Sequence, residues 1–257
     1  MGQALRARTE LEGDLRHALE QREFEVFYQP RVLTASGRIV GAEALVRWRH
    51  PARGLIEPDA FIPLCESTGI VLELDRQVFA TAAAQLARWQ ALGRDLVLSV
   101  NVSPRAFSDP HFAEQTVAVA VQAGCDLSRL ELEITESMLL DAGDGPLQTL
   151  RAISASGMTV SLDDFGRGYS NLATLSRFPI HALKIDRAFI AGLDENQPVA
   201  DLIAQLCRLM KLRSVAEGVE TEAQRRWAAG QGIEQAQGYL FAPPLPLAEF
   251  EALLDRP

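Results

Sequence analysis

Apolar, β-prone runs recur along this chain, and after the second of them a helical stretch separates each run from the next. The runs are EVFYQ 25–29, AEALVRW 42–48, LVLSVNV 96–102, LELEIT 130–135, MTVSL 158–162, ALKID 182–186, SVAEGV 214–219 and AQGYLF 236–241. Alternating β and α elements imply a mainly parallel sheet. Eight strands within 257 residues match the size of a (β/α)8 barrel. TASGR 34–38 sits between two apolar runs and reads as a hairpin loop, so one of the first two strands is expected to run antiparallel to the rest. The alternative is a doubly wound open sheet, which usually carries a Gly-rich turn after its first strand; none is present. No linker or low-complexity segment divides the chain, and residues 1–257 read as one domain. Residues 10–22 read as an amphipathic helix with Leu11, Leu15 and Leu19 on one face.

Charge and cysteine usage narrow the class. The net charge of −9 argues against duplex DNA or RNA and against an anionic membrane surface as non-specific partners. An anionic substrate stays open if cations are bound locally. No apolar run reaches the roughly 18–20 residues needed to cross a bilayer, and the N-terminus lacks the apolar stretch of a secretory signal. Gly2 follows Met1, but the residues after it give little support for lipidation. Cys65, Cys125 and Cys207 are scattered and form no CxxC pair, which reads as reduced thiols in a reducing, cytoplasmic compartment.

The reactive face of a parallel barrel forms at the C-terminal ends of its strands. Polar residues interrupt the apolar runs there: Glu43, Asn101, Glu133, Asp163 with Asp164, Lys184, Glu217 with Glu220, and Gln237. Any one of these alone reads as a salt-bridged structural group. The set reads differently, because buried carboxylates are costly unless paired or metal-bound and one lysine cannot neutralise them all. Hard oxygen donors without histidine or cysteine point to Mg²⁺ or Mn²⁺ rather than Zn²⁺. His17, His50, His111 and His181 show no ligand spacing and read as structural or solvated. If the fifth strand stops at Asp163, Asp164 need not alternate to the opposite face. The pair could then serve two metals set for phosphoryl displacement. Gly166 and Gly168 would let the following loop approach closely.

At these residues the chain resembles the EAL domain family, the cyclic di-GMP-specific phosphodiesterases. GAEALVRWRHPARGLI carries the Glu-Ala-Leu signature. FYQP, SVNVSP, LELEITES, SLDDFGRGYSNL, LKIDRAFI, VAEGVET and QGYLFAPPLP follow in family order, and the match runs from about residue 11 to 254. The resemblance implies a modified TIM barrel with one antiparallel strand. It implies that Glu43, Asn101, Glu133 and Asp163 hold one divalent metal, and that Asp163, Asp164 and Glu220 hold a second. Lys184 resembles the family lysine that orients or deprotonates the attacking water; its plainer reading, a charge balancing the carboxylates, is compatible. Gln237 would assist. Glu136 resembles the glutamate that anchors the Asp163–Ser170 loop. For substrate, Gln29, Leu45, Arg47 and Asp75 are the matching positions, with Arg47 suited to fork onto a phosphate. Tyr239 could cover a base, although a strand tyrosine is more often simply packed.

The implied reaction is hydrolysis of cyclic di-GMP to linear pGpG. Departures are few: Arg167 where a small residue is common, Asn171 for Ser, Ile233 for Cys, and Glu57 where a small or polar residue is common. A carboxylate at position 57, near the substrate phosphates, would be mildly unfavourable unless it faces solvent. Residues 1–22 resemble the linker helix that follows an upstream sensor or GGDEF domain, and the family pattern implies a homodimer; the acidic charge and lack of an apolar span argue against membrane contact by this segment. The competing readings are a cyclic di-GMP receptor or docking domain without turnover, and an unrelated metal-dependent barrel lyase. The first is disfavoured by the complete ligand set, the second by the motif order.

Overall fold

In the computed structural model the described residues are 2–140, 144–166 and 175–256. Nine strands form one sheet: β1 (Phe24–Leu33), β2 (Ile39–His50), β3 (Gly54–Ile56), β4 (Val97–Asn101), β5 (Leu130–Thr135), β6 (Thr159–Phe165), β7 (Ala182–Ile185), β8 (Arg213–Ala216) and β9 (Gln235–Ala236). Neighbours run β1-β9-β8-β7-β6-β5-β4-β2, and β1 also pairs with β2, so eight strands close into a barrel. β3 hangs from the outer part of β2 as a short antiparallel flap, with Trp48 opposite Ile56. β2 and β4 to β9 are mutually parallel, whereas β1 is antiparallel to both of its neighbours. The hairpin reading of residues 34–38 holds, with Gly37 at φ +74° taking the left-handed position in the turn.

The helices are α1 (Gly2–Glu20), α2 (Pro58–Thr68), α3 (Val71–Ala91), α4 (Pro104–Phe107), α5 (Phe112–Ala123), α6 (Ser137–Leu140), α7 (Asp144–Ala155), α8 (Arg187–Ala191), α9 (Leu193–Met210), α10 (Glu222–Gly230) and α11 (Leu247–Leu254). Strand alternation sorts the side chains into two layers. Leu98, Val100, Leu132, Ile134, Val160, Leu162, Leu183 and Ile185 share one apolar core with Leu86, Ala120, Leu150, Ile153 and Ile203 of the surrounding helices. The alternate residues turn into the barrel, and they are polar: Ser99, Glu131, Glu133, Ser161 and Lys184 are all buried. Arg31 and Arg213 clasp Glu131 below, which compensates the lower carboxylate. A second core joins Leu15, Ala18 and Leu19 of α1 to Trp48, Phe61, Leu64 and Leu74, so the expected amphipathic face of α1 packs against β2, α2 and α3.

Three strand readings change, the simplest being that β8 ends at Ala216 and does not run on to Val219. The fifth run does not end at Asp163: β6 continues to Phe165 through a register shift between Leu162 and Phe165. Asp164 sits at φ +55°, and its N–H donates to Asp163 Oδ1 at 2.7 Å. The bulge, rather than a strand end, is what frees two adjacent aspartates from alternating. The run 236–241 is not a strand beyond Ala236. Gly238 at φ +153° turns the chain against Val219, and Leu240 N–H donates to Val219 O at 3.0 Å. Cys65, Cys125 and Cys207 are free and buried. No helix among the described residues is long and apolar enough to cross a membrane.

Candidate active site

The Lys184 ammonium stands fully buried at the C-terminal mouth of the barrel. Glu133 Oε2 lies 2.6 Å from it, Glu217 Oε1 2.7 Å, and Glu43 Oε2 and Asp163 Oδ2 3.3 Å each. Parallel strands bring the four together from β2, β5, β6 and the segment just after β8, with Lys184 on β7. Two amides complete the ring. Asn101 Nδ2 donates to Glu43 Oε1 at 2.7 Å, and Gln237 Nε2 donates to Glu43 Oε2 at 2.6 Å.

One positive charge faces four carboxylates, and the consequences differ by position. Burial alone would push the Glu43 carboxyl up, but the Lys184 charge and the Gln237 and Asn101 hydrogen bonds bring it down to about 2. Glu133 is pushed well up by burial and by the neighbouring Glu43 charge, which outweigh Lys184. Burial, with Asp163 and Glu43 nearby, raises Glu217 to about 8 although Lys184 opposes it. Burial disfavours the Lys184 ammonium, yet Asp163, Glu133, Glu217 and Glu43 together raise its pKa well above the ordinary lysine value. Lys184 therefore offers N–H donors here, not a lone pair.

Glu217, a strand-end acid for which the sequence offers no specific role, is one of the two nearest partners of Lys184. Glu220 lies three residues on and is exposed; its backbone N–H donates to Gln224 Oε1 at 2.8 Å, beside the capping box that starts α10. Glu136 Oε2 accepts from Gly166 N–H at 3.2 Å, and its own N–H donates to Asp163 O at 3.3 Å. Arg167 and the rest of the loop through Ser170 lie outside the described residues.

The possible substrate residues divide between the rim and a flanking groove. Gln29 lies opposite Glu43 in the β1–β2 ladder and donates to Ala242 O at 3.4 Å. Leu45 and Arg47 follow Glu43 on the same face of β2. Arg47 is buried, its Nη1 donates to Val46 O at 2.9 Å, its Nε meets Glu57 Oε2 at 2.9 Å, and its guanidinium stands 5.7 Å from the Phe27 ring centroid. Asp75 lines a largely apolar cavity of about 550 Å³ with Asn101, Phe79 and Phe112. It accepts from Ser103 N–H at 3.2 Å, and burial lifts its carboxyl to about 6 against that hydrogen bond. Tyr239 is 68% exposed and belongs to a turn, so the packed-strand reading is set aside.

A cation fits the donor chemistry of the mouth. Glu133 Oε1 and Gln237 Oε1 are buried acceptors without a hydrogen-bond partner, and the carboxylates outnumber the local positive charge. Among the described residues no three acidic, histidine or cysteine side chains are arrayed as a ready ligand cage; the carboxylates instead converge on the Lys184 ammonium.

A closed barrel with one antiparallel strand and an acid-rich mouth at its C-terminal rim defines an α/β-barrel protein with its candidate site at that rim. The family model for the EAL domain matches residues 12–244, and the chain belongs to this family. It is 39% identical over 243 residues to the bifunctional diguanylate cyclase/cyclic di-GMP phosphodiesterase MucR of Pseudomonas aeruginosa, a match covering 93% of this chain and 36% of that protein. It is 36% identical over 250 residues to the cyclic di-GMP phosphodiesterase PdeR of Escherichia coli, covering 96% and 38% respectively. A solved structure, described as the PaMucR phosphodiesterase in complex with c-di-GMP, superposes with a TM-score of 0.91 at 39% identity, covering 94% of this chain and 99% of that one. The chain spans about a third of the length of the curated relatives it matches.

Proposed function

We propose that this domain is a divalent-metal-dependent phosphodiesterase that hydrolyses cyclic di-GMP to pGpG. The observation that carries the reading is the cluster of Glu43, Glu133, Asp163 and Glu217 around a single buried lysine, with unpartnered acceptors left at Glu133 and Gln237. Similarity to the two named phosphodiesterases supplies the substrate class.

Glu43, Asn101, Glu133 and Asp163 would hold one Mg²⁺ or Mn²⁺, and Asp163, Asp164 and Glu220 a second. Metal ions at such a mouth supply positive charge to a phosphate and lower the pKa of a water. Lys184 donates hydrogen bonds toward the attacking water and holds it against the phosphorus. Gln237 fixes the Glu43 carboxylate through its amide N–H, leaving its carbonyl oxygen to accept from the same water. Arg47 binds a non-bridging phosphate oxygen. Gln29 and Asp75 hydrogen-bond guanine edges, Leu45 packs on the nucleoside and Tyr239 covers a base. Glu136 ties the Asp163–Asp164 bulge to the segment after Phe165.

The relatives' greater length supports an upstream sensor or GGDEF domain in the parent protein. A homodimer working in the cytoplasm completes the proposal. Product analysis of cyclic di-GMP incubated with the purified chain and Mg²⁺ or Mn²⁺ tests it, beside Glu43→Ala and EDTA controls. pGpG is expected from the unaltered chain with metal only. Binding without product would instead identify a receptor.

A further inference from the structure

Arg47 is already engaged. Its Nε lies 2.9 Å from Glu57 Oε2, and its side chain is only 8% exposed, so the carboxylate takes one of the guanidinium edges a phosphate would use. Glu57 itself is lightly held: its side chain is 65% exposed. It occupies the N-cap position of α2, with extended backbone at φ −75° and ψ 153°, yet its side chain makes no capping hydrogen bond. An N-cap residue ordinarily turns its side-chain acceptor back onto the first helical N–H groups. Here the carboxylate leaves the helix end uncapped and reaches across to Arg47 on β2 instead. Arg47 keeps its other anchors, Val46 O and the Phe27 ring, without it.

We infer that Glu57 is a built-in competitor for the substrate phosphate: its carboxylate occupies Arg47 in the free enzyme and must swing into solvent before a phosphodiester can take the same N–H groups. This deepens the cyclic di-GMP reading and rests on it. The geometry favours competition over support. A positioning partner would be buried and fixed on both sides, whereas among the described residues this one is held by Arg47 and otherwise faces solvent. Displacing a half-exposed partner is a small cost, and its removal also takes a negative charge from the path of an anionic ligand.

The test is cyclic di-GMP binding and turnover by Glu57→Gln, Glu57→Ser, Arg47→Ala and the Arg47→Ala/Glu57→Gln pair, with thermal melts to confirm folding. Binding is measured in EDTA, so that hydrolysis does not interfere. Glu57→Gln and Glu57→Ser are expected to tighten Kd about two- to fivefold, the change set by a pair partly open to solvent. They should lower KM with little change in kcat, while the tightening should vanish when Arg47 is absent. Weaker binding by both Glu57 variants would show that Glu57 positions Arg47, and overturns the inference. Unchanged affinity overturns it too. If the unaltered chain binds and cleaves cyclic di-GMP while the Glu57 variants match it, only this inference fails. If the unaltered chain neither binds nor cleaves it, the functional reading fails and carries this one with it.

Discussion

Lys184 Nζ and Glu217 Oε1 stand 2.7 Å apart, joining β7 to the segment just after β8 at a point where the lysine has no exposed surface. The lysine is thus a structural counter-charge before it is anything else. Lys184→Met should destabilise the fold by about 3–5 kcal/mol, because it leaves the buried Glu43 carboxylate without its counter-charge and Glu133 and Glu217 without their donor. Added Mg²⁺ or Mn²⁺ should recover part of that loss, giving a larger metal-dependent rise in melting temperature than the unaltered chain shows. Urea unfolding with and without metal checks both. A variant as stable as the parent in EDTA would mean that the acids are already neutral.

Asp75 sets a pH signature. Its carboxyl is raised to about 6 in the folded chain from an ordinary value of 3.8, mainly by burial. The folded state then binds more protons than the unfolded state between those values, so stability falls as pH rises through that window. Asp75 is partly exposed, and the loss should be about 2 kcal/mol by pH 7. Asp75→Asn keeps an acceptor for Ser103 N–H and should flatten this slope, matching the parent near pH 4 and exceeding it at pH 7. Chemical denaturation across pH 4–8 would show it; parallel curves would remove Asp75 as the cause.

Glu136→Ala removes the acceptor for Gly166 N–H. The stability cost should be modest, about 1 kcal/mol. The larger effect is expected on metal affinity, since the lost side-chain bond is the one that ties Gly166, two residues after Asp164, back to this glutamate. The metal concentration for half-maximal turnover should rise at least severalfold. A purely structural role would lower the melting temperature and leave that concentration unmoved.

Gly238→Ala should be severely disruptive. A Cβ there would sit 2.2 Å from Val219 O and 2.3 Å from Val219 N, backbone atoms that cannot rotate away. Because Gly238 follows Gln237, the variant should also release Gln237 from Glu43 and lose activity even where it folds. Circular dichroism and product analysis together separate the two effects.

Much of this was legible in the primary structure, for identifiable reasons. Period-two alternation places Glu43, Asn101, Glu133 and Asp163 on inward faces, and helices between strands fix those strands as parallel. The hairpin at 34–38 signals the reversed first strand because a tight loop joins only antiparallel partners. What escaped depends on local backbone conformation. The bulge at Asp163 and Asp164 needs a left-handed aspartate, which composition does not mark. The ninth strand shrank to two residues because Gly238 packs on Val219, a contact nineteen positions away in sequence. Glu217 and Glu220 look alike on paper; only the end of β8 at Ala216 decides which of them reaches Lys184. The Glu57–Arg47 pair likewise depends on β3 folding back to set α2 beside β2.

The reversed first strand has a consequence for how the molecule is made. β1 meets β9 through just two residue pairs, Val32 with Ala236 and Leu33 with Gln235, about two hundred positions apart. The β1–β2 hairpin can form as soon as it is synthesised, but it must then wait for nearly the whole remaining chain before its free edge is covered. Closure also brings Gln237 to Glu43, so the seam of the barrel and the rim of its mouth are completed in one late event. A nascent or truncated chain that stops short of β9 exposes an open sheet edge and lacks the Gln237–Glu43 contact, which makes an assembled mouth a reporter of ring closure.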